Sequence, residues 1–173
     1  MLPWVPIRKA SVTSTAFNTA GTVAATAANR FGLDYRSEAR AFPAPCEIID
    51  LHTHVNGVGA SAIWREVAAA FGVTRVFTQV RLQDCQSVRD VLGDMVEFIA
   101  FPNFRAPDRG HAMMEGYLAD IEQFHANFGA RVVKLWNAPR LREFFPNDTG
   151  RELVEFDGFW RVKACELAQR LGM

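Results

Sequence analysis

The chain has 173 residues, and its 19 Lys plus Arg balance 19 Asp plus Glu, so it carries no net field to recruit nucleic acid or an anionic bilayer. No apolar run reaches the roughly 18 residues that a membrane span needs; with nucleic acid and membrane set aside, a small molecule is the expected partner. Three cysteines, Cys46, Cys85 and Cys165, lie far apart with no CxxC pair and read as thiols of a reducing, cytoplasmic compartment.

Residues 1–33 hold no Asp or Glu and carry Arg8, Lys9 and Arg30 among many Ser, Thr and Ala. That composition has something of a transit peptide, yet residues 13–28 are too polar for a secretory core. The expectation is an N-terminal extension over 1–40, partly disordered or a short helix that ends at Pro43 and Pro45, followed by a domain over 41–173. The apolar run from Cys46 predicts a first strand up to Val55. Ser61–Phe71 has helical spacing and stops at Gly72, and the β-branched and aromatic run Val73–Val80 predicts a second strand. A helix over Asp84–Gly93, capped by Asp84, leads to a third strand over Met95–Phe101. After a loop to Gly110, a long helix over His111–Phe128 has Met114, Tyr117, Leu118, Ile121, Phe124 and Phe128 on one face and Gly129 as its stop. Arg131–Trp136 predicts a fourth strand and residues 139–158 an irregular stretch. A last helix over Phe159–Leu171 is read with Trp160, Val162, Leu167 and Leu171 on its apolar face.

Strand then helix, four times over, implies an α/β fold with a parallel sheet and helical crossovers. Such sheets place their chemistry at the C-terminal strand ends. His52 and His54 fall there on the first strand, and residues two apart share a strand face. Two neutral imidazoles on one rigid strand are a ready pair of ligands for Zn²⁺ or a similar divalent metal. Asp50 shares their face and reads either as a carboxylate orienting a ligand or as part of the interior packing. Lys134 ends the fourth strand, with a metal or substrate role set against a lysine whose head reaches water. Trp136, Asn137 and Arg140 follow it as candidates to line the substrate pocket, Arg140 as a clamp for a carboxylate. His111 and His125 both fall on the helix before the fourth strand, away from where ligands converge.

The segment IIDLHTHV after a proline-rich lead, together with ARVVKLW after a long helix, resembles the amidohydrolase superfamily, in particular its amidohydrolase-related branch. The resemblance covers roughly Ala41–Met173 and implies a (β/α)₈ barrel of which this chain is the N-terminal half. It implies that His52 and His54 are first-strand metal ligands and that Lys134 occupies the place of a lysine that can be carbamylated to bridge two metals; whether one metal or two is left open. The activity it implies is hydrolysis, with metal-activated water attacking a C–N or C–O bond of a small molecule. A related branch with one metal catalyses decarboxylation or hydration instead. The further histidines and the aspartate of such enzymes come from later strands, beyond the end of this sequence. The chain is therefore expected to be inactive alone, and to pair with a missing C-terminal half or with a second copy of itself. Two rivals remain: metal-dependent phosphoesterases that open on a similar DLHTH, against which NGVGASAIW counts, and a non-catalytic α/β interaction fragment.

Overall fold

A computed structural model describes residues 26, 27, 29–136, 141–146, 153 and 155–173. The chain divides into two compact units, Met1–Asp34 and Tyr35–Met173. In the first, the Asn29 side chain closes a turn: its Oδ1 accepts the Leu33 N–H at 3.0 Å and its Nδ2 donates to the Leu33 carbonyl at 2.7 Å.

The second unit opens with α1 (Tyr35–Ala41) and then alternates strand and helix: β1 (Ile48–Thr53), α2 (Gly57–Phe71), β2 (Val73–Thr78), α3 (Cys85–Leu92) and β3 (Val96–Ala100). It continues through α4 (Arg109–Met113), α5 (Glu115–Phe128), β4 (Val132–Val133), α6 (Leu141–Phe144) and α7 (Phe159–Leu171). The four strands form one parallel sheet in the order β1-β2-β3-β4. Ile48 pairs with Val73, Val76 with Val96 and Ile99 with Val132. Each crossover carries a helix, as parallel pairing demands. The α/β class and the parallel sheet with helical crossovers expected from the sequence are thus present among the described residues.

The sheet is curled. Neighbouring strands lie about 4.8 Å apart, so β1 and β4 would stand about 14 Å from each other on a flat sheet. The Lys134 ammonium, one residue beyond β4, nevertheless lies 3.1 Å from the His52 ring. The face that carries both must be concave.

The core lies between the sheet and the helices of its other face. Val76, Phe98 and Ala100 of the sheet meet Val88, Tyr117, Ile121, Phe124 and Ala164 of α3, α5 and α7. Arg89 spans Phe98 and Phe128 at 5.2 and 5.1 Å and donates to the Phe128 carbonyl at 2.7 Å. By contrast β1 is poorly covered, and Ile48, Ile49 and Leu51 are all exposed.

Several elements differ from expectation. Asp84 does not cap α3: its carboxylate is held by Arg81, at 2.7 Å from Nε and 2.6 Å from Nη2. Helix α2 starts at Gly57 rather than Ser61, with the Ser61 hydroxyl donating to the Gly57 carbonyl at 2.8 Å. The helix expected over 111–128 is two helices, broken at Met114, and it begins earlier because Asp108 caps α4 through the His111 N–H at 2.9 Å. At the break, a Cβ on Gly116 would lie 2.8 Å from the His111 carbonyl oxygen; only glycine lets the two helices approach so closely. Ladder pairing of the fourth strand covers just Val132–Val133. The stretch read as irregular contains α6, while residues 139–140, 147–152 and 154 lie outside the described residues. On α7, Val162 is exposed and Arg161 is buried, its Nη2 donating to the Leu153 carbonyl at 2.9 Å.

Cys85 is fully buried, and burial pushes its thiol up to about 12, whereas Cys46 and Cys165 are exposed. Since the thiolate is the reactive form, a disulfide reagent at pH 8 should label Cys46 and Cys165 in the native protein. Cys85 should react only on unfolding. Fast reaction of all three thiols, counted by mass spectrometry, would contradict this packing.

Candidate functional site

The alternation of β1 puts the rings of His52 and His54 on the same face, with centroids 5.4 Å apart and planes tilted by 37°. Three polar residues hold this end of the strand. Thr78, fully buried on β2, accepts the Val55 N–H at 2.9 Å and donates to the Thr53 carbonyl at 3.3 Å. The same carbonyl accepts the Gln79 N–H at 3.0 Å. Asp50 accepts the backbone N–H of His52 at 3.0 Å, so it braces the main chain of β1.

The two rings converge on the side-chain amide of Gln79, whose nitrogen lies 2.7 Å from His52 Nε2 and 3.3 Å from His54 Nε2. Lys134 Nζ approaches His52 Nε2 at 3.1 Å. Its main chain is fixed on both sides: the Lys134 N–H donates to the Ala100 carbonyl at 2.8 Å, and the buried Tyr117 hydroxyl donates to the Lys134 carbonyl at 2.8 Å. Burial holds the Lys134 amine below its ordinary range. Burial, then the charge of Lys134, then that of His52 lower the pKa of His54. Both shifts favour the neutral bases, the forms with a lone pair to give.

Beyond His54 an open cleft of about 420 Å³ runs over the strand ends, lined by Gln79, Arg81, Asn103, Arg105, Lys134 and Trp136 among others. Phe104 meets Trp136 edge to face at 4.9 Å on its wall. No Asp or Glu lines it among the described residues, whereas Arg105 and the Asp84-paired Arg81 do.

His52, His54 and Lys134 are therefore brought together from strands at opposite edges of the sheet, and Trp136 reaches the adjoining cleft. Asn137 and Arg140 lie outside the described residues. His111 is exposed near Glu115, and His125 Nδ1 pairs with the Ala130 carbonyl at 3.1 Å, a bond at the end of its own helix. Gln79 is not among the site residues expected from the sequence. Its signal lies in VFTQV, where a polar amide ends an apolar strand on the face of Phe77, but a lone Gln carries no spacing motif. Among the described residues no group of three or more His, Cys, Asp or Glu converges, so any metal here would rely on the two imidazoles and on side chains of other types. No protein-family model, no curated protein and no solved structure matches the chain.

Proposed function

We propose that this chain carries the first four strands of an amidohydrolase-type (β/α)₈ barrel, whose parent is a hydrolase using a divalent metal such as Zn²⁺ on a small molecule. The observation that supports this reading best is the meeting of His52 Nε2, His54 Nε2 and Lys134 Nζ at the C-terminal ends of the two edge strands. The donor set fits a metal: two imidazoles on one strand face, of which His54 has a lowered pKa that favours its neutral form, and an amine whose lowered pKa does the same. A neutral amine is the form that adds carbon dioxide to give a carbamate and a proton, and a carbamate supplies the oxygen ligand that two imidazoles lack. When bound, the metal supplies a water of lowered pKa and polarises the scissile group. The chain's own residues do the rest. Arg105 faces the cleft to hold an anionic part of the substrate, and Trp136 with Phe104 packs against its apolar part.

Arg105, in a cleft that no Asp or Glu lines among the described residues, also favours a second reading, decarboxylation or hydration of a carboxylate-bearing substrate by a single metal in the same site. In either case the outer edges of β1 and β4, which pair with no further strand among the described residues, suit a further barrel half, from a second copy or a separate segment.

Isothermal titration of the chelator-stripped chain with Zn²⁺ tests the metal reading. One equivalent should bind with micromolar affinity or better, and His52→Ala should weaken binding by roughly 100-fold or more while leaving the far-ultraviolet circular dichroism unchanged. A folded wild-type chain that takes up no metal would leave the non-catalytic interaction fragment as the better reading.

A further inference from the structure

An ion bonded to both imidazoles must sit about 2 Å from each Nε2. Ligand atoms around a tetrahedral ion at that distance stand about 3.3 Å from one another, and the Gln79 amide nitrogen stands close to such a ligand position, 2.7 and 3.3 Å from the same two atoms. The NH₂ group of Gln79 gives one hydrogen to each imidazole lone pair, so it meets the same two lone pairs that a cation would. With hydrogens and no lone pair to offer, the NH₂ end cannot bind an ion placed between it and the imidazoles.

Gln79 has little freedom to withdraw. It is 3% exposed, its N–H is fixed on the Thr53 carbonyl at 3.0 Å, and the residue before it, Thr78, is fully buried. The one inexpensive movement is rotation of the terminal amide, a broad and roughly two-fold torsion. A half turn exchanges the nearly isosteric NH₂ and carbonyl ends, placing an acceptor oxygen beside the two imidazoles without disturbing β2.

We infer that Gln79 is a metal ligand of this site, donating its side-chain oxygen as a third protein group beside His52 and His54. This assignment rests on the metal reading above. It makes the site richer than its histidines suggest, and it keeps the added ligand neutral, which leaves more of the ion's charge to act on bound water. It also assigns the amide a second role: with no metal bound, Gln79 holds the two imidazoles together.

The test uses the full chain with Co²⁺ as a coloured probe and Zn²⁺ in competition with a chromophoric chelator, comparing wild type, Gln79→Leu and Gln79→Glu. Gln79→Leu should weaken metal affinity roughly 10- to 100-fold and alter the visible Co²⁺ spectrum, while Gln79→Glu, which keeps an oxygen in place, should restore or exceed wild-type affinity. If Gln79→Leu binds as tightly as wild type with the same spectrum, Gln79 is no ligand and the two-histidine reading survives without it. If Gln79→Glu fails to rescue, the residue acts through packing alone, and the assignment falls; the same comparison of Gln79→Glu with wild type decides the matter should Gln79→Leu not fold. If wild type binds no metal, this assignment and the metal reading fail together.

Discussion

Thr78→Val should destabilise the protein by about 2 kcal/mol and weaken metal binding at the histidine pair, although it exchanges one β-branched side chain for another of nearly equal shape. The lost hydroxyl serves two groups of β1, the Val55 N–H at 2.9 Å and the Thr53 carbonyl at 3.3 Å. Val55 is buried, so its N–H finds no water in exchange, and an orphaned buried donor costs about 1–3 kcal/mol. Gln79 still holds the Thr53 carbonyl, which confines the damage to the end of the strand. Those two anchors flank His54 in sequence, so releasing one of them widens the range of positions its ring can take. Thr78→Ser keeps the hydroxyl and should retain metal affinity while losing one methyl group's packing. Urea unfolding with an unchanged m-value, beside Zn²⁺ titration of both variants, reads the two effects separately. A Thr78→Val protein as stable as wild type would show that the hydroxyl anchors nothing.

Phe124→Ala should be the most damaging single truncation, at about 3–5 kcal/mol. The ring is fully buried on α5, the helix that packs against both β3 and α7, and it lies 6.4 Å from the ring of Phe101. Its removal opens a cavity where the helical layer meets the sheet. In a domain of this size the melting temperature should fall by roughly 10 °C. Phe156→Ala supplies the control: that ring is 70% exposed, and its loss should change stability by no more than about 0.5 kcal/mol. Equal melting temperatures for the Phe124→Ala protein and wild type would refute the core as described.

Strands and helices with one dominant local signal could be read directly from the residues. The β-branched run of β2, the helical spacing of α7, and Gly72, Gly129 and Gly172, each at positive φ at a helix end, required nothing from the rest of the chain. The face shared by His52 and His54 followed from strand alternation alone. What escaped depends on distant partners. Asp84 has the composition of a helix cap, but Arg81 three residues earlier offers a charged partner. The break at Met114 leaves the apolar periodicity almost intact, and its cause is the close approach of Gly116 to the His111 carbonyl. Arg161 takes the buried place on α7 expected of Val162 because a carbonyl at Leu153 receives it. Gln79 meets the histidines through the pairing of β1 with β2, and Lys134, a candidate from the sequence, reaches His52 through the curl of the sheet; no window of adjacent residues encodes either meeting.

The strand that bears both imidazoles is also the least covered in the sheet, with Ile49 48% and Leu51 69% exposed. Its order and the occupancy of the site are consequently one coupled equilibrium. Local opening of β1 would take both histidines from the site at once, so on the proposed metal reading a bound ion would add its binding free energy to the closed strand, and its apparent affinity would fall with the fraction of molecules open. By the same reciprocity, anything that covers Ile49 and Leu51 would tighten the site from its far side without touching a ligand.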